Sequence, residues 1–121
     1  MDLRAMPWHE TIIEAELSRA GLLVNTTAIG IEAGENPITP ESLPNDLFVL
    51  DLVLDHSVTP LMRQAKERGG TAANGQLSFL RASAETFKLL TGHEAPEDVM
   101  RQALAGEVGV PAEGIAVVVG D

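Results

Sequence analysis

The chain has 121 residues, 45% of them hydrophobic, which is enough for one domain with a hydrophobic core and excludes a disordered tail. Only 8 lysines and arginines stand against 18 aspartates and glutamates, and the formal net charge of -10 argues against nucleic acid or an anionic membrane surface as a partner. The sequence contains no cysteine, so a disulfide framework and thiol chemistry are excluded. It shows neither a signal-peptide core nor an apolar run of membrane-spanning length, and we expect a cytoplasmic protein.

The first third of the chain predicts two short strands around one helix. We expect a strand at residues 3–6 and a helix at residues 10–20, where apolar residues recur at helical spacing. A buried strand at residues 22–24 runs directly into the polar Asn-Thr-Thr segment at residues 25–27. Polar residues at the carboxyl end of a parallel strand are typical of ligand sites in open α/β sheets. Residues 30–45, rich in acidic residues, glycine and proline, predict a surface loop.

Residues 47–92 contain the clearest pattern. An apolar run at residues 47–54, interrupted only by Asp51, is typical of a strand buried on both faces of a parallel sheet. Thr59 is a good N-cap, and Pro60 is favoured at the first helical position. The elements expected next are a helix at residues 60–68, a strand at residues 71–73, an Asn-Gly turn at residues 74–75 and a helix that ends near residue 90.

The last part of the chain predicts a helix from Pro96 to about Ala105 and a tail at residues 108–121. The tail contains the apolar run 115–119, which we expect either to add a strand to the sheet or to pair between two copies of the chain. The alternation of strands and helices predicts a single α/β domain with a small, mostly parallel sheet, helices on both faces and right-handed crossovers. The predicted strands are residues 3–6, 22–24, 48–54, 71–73 and 115–119.

An ordered set of motifs in this chain resembles the C-terminal part of shikimate dehydrogenases. The set consists of Asn25-Thr26-Thr27 followed by Gly30, Asp51-Leu52-Val53, Thr59-Pro60-Leu61, Asn74-Gly75, Phe87 and Thr91-Gly92. Family-like residues extend over positions 1–107, and residues 108–121 form an additional tail. The resemblance implies a partial Rossmann-like fold, NADP as the cofactor and a place in aromatic amino acid biosynthesis.

By the same resemblance, the residues that face the nicotinamide half of the cofactor are Asn25, Thr26, Thr27, Leu52 and Gly75. A glycine in such a site lets a ring approach the backbone closely. Both motifs also have a purely structural interpretation, because Asn-Thr-Thr can be a polar strand exit and Asn-Gly is a common turn.

The family's substrate contacts are replaced in this chain. The family tyrosine corresponds to Leu54, the family glutamine to Ala82 and the methionine near the nicotinamide to Ser78. Leucine and alanine cannot provide the hydrogen bonds that tyrosine and glutamine give to a polyhydroxy acid. We therefore assign no substrate residue and no catalytic residue, and we do not expect shikimate itself as the substrate.

Other signals of chemistry are weak or missing. No G-x-G-x-x-G turn is present to bind a pyrophosphate, and the glycine pair at residues 69–70 follows a helix rather than a strand. His9, His56 and His93 lie far apart in the sequence, so no metal site is expected. Asp55 and His56 could form an acid–base pair, but a solvated turn is the preferred interpretation. Trp8 is expected to be a core or cap residue.

Two functions from different classes remain open. In the first, the chain is the nicotinamide-side portion of a shikimate dehydrogenase-like, NADP-dependent oxidoreductase and is not catalytic without an N-terminal half from another polypeptide or a longer gene product. In the second, it is a non-catalytic α/β scaffold or relic domain that binds a protein partner or self-associates. A truncated reading frame is a third explanation. Half of a doubly wound sheet would expose a strand edge and an apolar face, so we expect a homodimer or a second chain as partner.

Overall fold

The structure is a computed structural model that describes residues 1–112, 115 and 118–119. Its elements alternate between helices and strands, as expected for an α/β protein. The helices are α1 (Glu10–Leu17), α2 (Pro60–Glu67), α3 (Gln76–Thr91) and α4 (Glu97–Val108), the strands are β1 (Leu22–Asn25), β2 (Phe48–Asp51), β3 (Thr71–Asn74) and β4 (Val118–Val119), and a short 3-10 helix covers Pro40–Ser42. In the part of the chain that the structure describes, no helix is long and apolar enough to cross a membrane.

The strands form one sheet in the order β1-β2-β3-β4. The first three strands are parallel and in register, so that Leu23, Val49 and Ala72 lie side by side. β4 is antiparallel to β3 and extends the sheet at that edge. The predicted α/β class and mostly parallel sheet are confirmed.

The predicted strands at residues 22–24, 48–54 and 71–73 are confirmed in position, although β2 ends earlier, at Asp51. The strand predicted at residues 115–119 is confirmed at Val118–Val119, which join the sheet of the same chain, whereas Ile115 lies in a bend outside the strand. Residues 116 and 117 lie outside the described residues. Pairing between copies stays a prediction.

The strand predicted at residues 3–6 is wrong. This segment has no regular secondary structure, and Leu3 and Met6 are 86% and 49% exposed. A strand needs a hydrogen-bonded neighbour, and the segment is not part of the described sheet but lies along a groove that separates it from Leu23 of β1. Trp8 follows the segment and is 67% exposed, so its predicted place in the core is also wrong.

The main core lies between α2 and one face of the sheet. Leu61, Met62 and Ala65 of α2 are buried against Val49 and Ala72 of the central strands. The helix starts as the sequence predicts, because the Thr59 side chain accepts a hydrogen bond from the Met62 amide and Pro60 occupies the first turn. Leu17 at the end of α1 joins the same core.

The opposite face of the sheet is less well covered. Alternate residues of a strand point to opposite faces, and Leu22, Val24 and Phe48 on this second face remain 53%, 39% and 40% exposed. The expected helix layer on this face is therefore incomplete over β1 and β2. The last two helices, α3 and α4, pack on each other around Leu80 and Ala105 and form a second, smaller core.

Candidate cofactor-binding site

The three parallel strands end in polar residues that form a continuous row across the sheet. Asn25, Asp51 and Asn74 are the last residues of β1, β2 and β3, and they pair in register. Their side chains point to the covered face and are 4%, 0% and 4% exposed. We call these three residues the polar row. It lies at the carboxyl edge of the sheet, where open α/β sheets bind their ligands.

Asp51 joins the ends of two strands to the start of α2. Its Oδ1 accepts hydrogen bonds from Asn25 Nδ2 at 3.0 Å and from the Val53 amide at 3.1 Å. Its Oδ2 accepts a bond from Thr59 Oγ1 at 2.6 Å. A buried carboxylate is tolerated only where its oxygens are hydrogen-bonded, and here both oxygens are. The first turn of α2 adds the partial positive charge of a helix N-terminus close to the carboxylate.

Asn25 holds the loop that follows β1. Its Oδ1 accepts bonds from the Thr27 amide at 3.1 Å and from Thr27 Oγ1 at 2.7 Å, and its Nδ2 donates to the Ile29 carbonyl at 3.1 Å. The polar atoms of the Asn25 side chain are therefore all used in holding this loop, whereas Thr26 and Thr27 lie exposed at the surface. Of the three residues predicted in this segment, the two threonines are the ones that a ligand can reach.

Leu52 and Gly75, the other two predicted site residues, contact one another. A Cβ placed on Gly75 would lie 2.7 Å from Leu52 Cα and 2.9 Å from Leu52 Cδ2. The backbone of Gly75 has φ -84°, which any residue adopts, so the glycine is required by this close approach and not by its conformation. The Leu52 amide also donates to the Asn25 carbonyl at 3.1 Å. The structure thus brings all five predicted residues together at one edge of the sheet.

The sequence analysis missed several groups that shape this edge. Asn74 Nδ2 donates to the Ser57 carbonyl at 3.2 Å, and the fully buried Gln76 donates through Nε2 to the Leu54 carbonyl at 2.9 Å. These bonds hold residues 52–57, the loop after β2. The available signal was a polar residue directly after the predicted strands 22–24 and 71–73 and one inside the predicted strand 48–54, at Asp51.

Ser57 has a hydroxyl that no other group satisfies. Its Oγ is buried and lacks a hydrogen-bond partner among the residues that the structure describes. Buried polar atoms are nearly always bonded, so this hydroxyl is a candidate to bond a water molecule or a polar group of a ligand.

Two adjoining depressions open at this edge. A small one of about 110 Å³ is lined by Thr26, Thr27, Val24 and Trp8. It leads to a larger one of about 500 Å³, which we call the N-terminal groove and which lies between residues 2–8, α1 and Leu23 of β1. Ligand sites commonly measure about 300–1,000 Å³, so the small depression can hold one ring or ribose but not a dinucleotide.

The other residues that the sequence suggested for catalysis or metal binding do not form such sites among the described residues. His56 Nε2 lies 2.7 Å from the Ile31 carbonyl oxygen and therefore ties two loops together instead of pairing with Asp55. No group of three or more potential metal ligands occurs among the residues the structure describes. At the family's substrate positions, Leu54 is half-buried and Ala82 is exposed, and Ser78, at the position of the methionine near the nicotinamide, is exposed.

A comparison with known proteins finds the same family that the sequence motifs resemble. A Streptococcus pneumoniae shikimate dehydrogenase (NADP(+)) is 35% identical over 106 residues, which are 86% of this chain and 37% of that protein. This chain is a relative of the shikimate dehydrogenases. No protein-family model matches it.

Solved shikimate dehydrogenases share the fold. The Thermus thermophilus enzyme, in complex with shikimate, matches with a TM-score of 0.69 and 30% identity over 89% of this chain and 38% of that chain. A shikimate dehydrogenase in complex with NADP+ matches with a TM-score of 0.68 and 27% identity over 79% of this chain and 34% of that chain. The Listeria monocytogenes enzyme, in complex with shikimate and NAD, has a TM-score of 0.68 and 26% identity over 78% of this chain and 34% of that chain.

These comparisons confirm the resemblance and the Rossmann-like fold. The resemblance covers only part of those enzymes, because the chain spans little more than a third of the length of the shikimate dehydrogenases it matches. The assignment of individual cofactor-binding residues stays a prediction.

Proposed function

We propose that this chain forms the nicotinamide-side portion of an NADP-dependent oxidoreductase related to shikimate dehydrogenase. The observation that carries the proposal is the polar row, which fixes the loops after β1 and β2 at the edge of the sheet where doubly wound folds bind dinucleotides. The NADP+ and NAD complexes of related enzymes support this choice of cofactor.

The groups at this edge fit one half of a dinucleotide. Leu52 offers a half-buried apolar side chain for a ring, and Thr26 offers an exposed hydroxyl. Ser57 has a hydroxyl without a partner among the residues that the structure describes. When bound, NADP would donate or accept the hydride. The sequence contains no glycine-rich turn for the pyrophosphate, so we propose that this part of the cofactor is bound by another part of the enzyme.

The substrate we propose is a cyclic hydroxy acid that differs from shikimate. Leu54 and Ala82 replace the tyrosine and glutamine of the family, and neither can hydrogen-bond to a hydroxyl of the substrate. Sites that depend on such bonds reject analogues by factors of about 10⁴ or more, so their replacement implies a substrate with apolar carbon at those positions.

Catalysis would require a second structural unit, from a separate polypeptide or a longer gene product. Among the residues that the structure describes, Asp55 and His56 do not form an acid–base pair at the candidate site, since His56 is bonded to a backbone carbonyl. The proposed roles of this chain are to bind the nicotinamide half and to exclude water from one side of it.

One observation favours the second function, a scaffold that binds a protein or itself. Leu22, Val24 and Phe48 form an exposed apolar surface on the sheet, and such surfaces mark interaction sites in soluble proteins. A homodimer would cover it without any cofactor. Light scattering that gives a clean monomer at micromolar concentration would contradict this second function.

The first function is tested by titrating the chain with NADPH and NADH while following the emission of Trp8, the only tryptophan, which lines the small depression together with Thr26 and Thr27. The titration is done with the chain alone and with the part of the Thermus thermophilus enzyme that lies outside the match. We expect saturable binding of NADPH in the mixture at micromolar concentration. No saturation up to millimolar NADPH in the mixture would refute the proposal.

A serine variant separates binding from folding. Ser57→Ala removes a hydroxyl that has no partner among the described residues, so its effect on stability should lie within about 0.5 kcal/mol. If NADPH uses this hydroxyl, its affinity should fall about threefold to tenfold. Ser18→Ala is the matched control, because the Ser18 hydroxyl is exposed at the end of α1 and bonds to the Ala15 carbonyl.

A further inference from the structure

The loop after β1 contains a segment that has little attachment to the rest of the domain. Residues 30–35 consist of turns and bends, and residues 31–35 are all exposed. Their own bonds are local: the Glu35 amide donates to the Glu32 carbonyl, and the Glu35 carboxylate accepts from the Gly30 amide. Segments with exposed backbone and few buried contacts open at a low cost in free energy. We call residues 30–35 the lid loop.

One side chain ties the lid loop to the loop after β2. His56 Nε2 lies 2.7 Å from the Ile31 carbonyl oxygen. Among the residues that the structure describes, this is the only hydrogen bond that joins the lid loop to a residue beyond the loop after β1. Because a carbonyl oxygen can only accept, the imidazole has to carry a proton on Nε2.

The two loops differ in how firmly they are held. In the loop after β2, the Leu54 carbonyl accepts from buried Gln76 at 2.9 Å, and the Ser57 carbonyl accepts from buried Asn74 at 3.2 Å. These two anchors flank His56 on both sides in the sequence. His56 therefore projects from an anchored loop and holds a loop that has few other attachments.

Two glycines would let the lid loop swing. Gly30 has a φ of 117° and Gly34 a φ of 84°, a region of conformational space that favours glycine. Gly30 is buried, and a Cβ placed there would lie 3.5 Å from Val53 Cγ2, so the start of the lid loop stays packed on the loop after β2. Hinges are a few residues, often small, that absorb the change in φ and ψ. The exposed part of the lid loop can thus turn about Gly30 when the bond to His56 breaks.

We propose that His56 is a positioning residue, whose bond to the Ile31 carbonyl latches the lid loop against the loop after β2 and closes the edge assigned to the nicotinamide. Ile29 and Ile31 are 40% and 42% exposed, and Leu54 is half-buried, so the latched loops give this edge apolar side chains. Such a wall excludes water from a hydride-transfer site. The inference rests on the proposed function, although the latch itself forms without NADP.

The first experiment measures how often the lid loop opens in the full chain. A glutamate-specific protease can cut after Glu32 and Glu35, and mass spectrometry separates these cuts from one after Glu85 in α3. A net hydrogen bond changes an opening equilibrium about fivefold, so His56→Ala should be cut about fivefold faster in the lid loop and equally fast at Glu85. His93→Ala is the matched control, because His93 is also exposed and bonds to Thr91 through its backbone amide alone.

Two further variants separate the bond from the bulk of the ring. Glutamine keeps an N–H donor at similar reach, so His56→Gln should be cut as slowly as the original chain. His56→Leu keeps the bulk without a donor and should be cut as fast as His56→Ala. NMR of the ring nitrogens in mildly alkaline buffer should show the proton of neutral His56 on Nε2, and circular dichroism should show that all variants are folded.

The second experiment connects the latch with the cofactor. The chain is mixed with the part of the Thermus thermophilus enzyme that lies outside the match, and NADPH is added. Bound NADPH should slow the cuts in the lid loop further, because the loop closes over it. We expect His56→Ala to raise the Kd for NADPH about fivefold and His56→Gln to stay within about twofold of the original chain.

The possible outcomes separate this inference from the proposed function. Faster cutting of His56→Ala, restored in His56→Gln, together with no NADPH binding in the mixture, would support the latch and refute the function. Equal NADPH affinity of the original chain and His56→Ala would overturn the positioning role alone. Equal cutting of these two chains, a glutamine variant that behaves as the alanine variant, or faster cutting at Glu85 as well would overturn the latch.

Discussion

The contact between Gly75 and Leu52 yields a prediction that can be worked out from distances. In Gly75→Ala the new Cβ would lie 2.7 Å from Leu52 Cα, a backbone atom that cannot rotate away. Overpacking of this kind costs about 1–3 kcal/mol, and the backbone contact places the expected value near the upper end. The lower entropy of the unfolded chain offsets about 0.4–1 kcal/mol, because the φ of -84° suits alanine. We therefore expect a net destabilisation of about 2–2.5 kcal/mol.

The assay is urea unfolding followed by far-ultraviolet circular dichroism, since the exposed Trp8 is a poor reporter of the core. Gly21→Ala is the matched control, because a Cβ at Gly21 meets nothing within 4 Å and Gly21 is not among the residues with positive φ. The free energy of unfolding of the control should be unchanged or higher by up to about 1 kcal/mol. If Gly75→Ala unfolds at the same urea concentration as Gly21→Ala, the close packing of Leu52 on Gly75 is refuted.

Two further substitutions test the polar row and the join between α2 and β3. Asp51→Asn leaves the hydroxyl of buried Thr59 without its charged acceptor, and we expect a loss of about 2–3 kcal/mol in urea unfolding; a loss below about 1 kcal/mol would contradict the central role of the carboxylate. Gly70→Ala would place a Cβ 2.3 Å from the Leu47 carbonyl oxygen, so we expect a loss of about 3 kcal/mol or failure to fold. Gly106→Ala, in an open position of α4, should instead be stabilised by up to about 1 kcal/mol, and equal effects of these two glycine changes would refute the reasoning.

The sequence predicted most of the sheet because each parallel strand is a short apolar run that ends in a polar residue. It also predicted α2, since Thr59 and Pro60 mark a helix start that depends only on neighbouring residues. Residues 3–6 show the limit of such patterns. Their apolar residues permit a strand, but a strand also requires a neighbour, which local sequence does not reveal.

The five residues predicted beside the cofactor lie at one edge of the sheet, but the contacts that hold them there were not predicted. The resemblance pointed to Asn25 and Gly75 as residues beside the cofactor, whereas the structure shows that both also hold the backbone of the site. The buried role of Asp51 and the free hydroxyl of Ser57 depend on contacts between residues far apart in the chain. Patterns within a single strand or turn do not contain that information.

The polar row also links the two loops that the proposed function places beside the nicotinamide. Asn25 ends β1, and its side chain bonds both to Thr27 and to Asp51. Asp51 in turn fixes the Val53 amide in the loop that contains Leu52. Because the two loops share one buried hydrogen-bond network, a substitution at Asp51 should disturb the loop after β1 as well as the loop after β2.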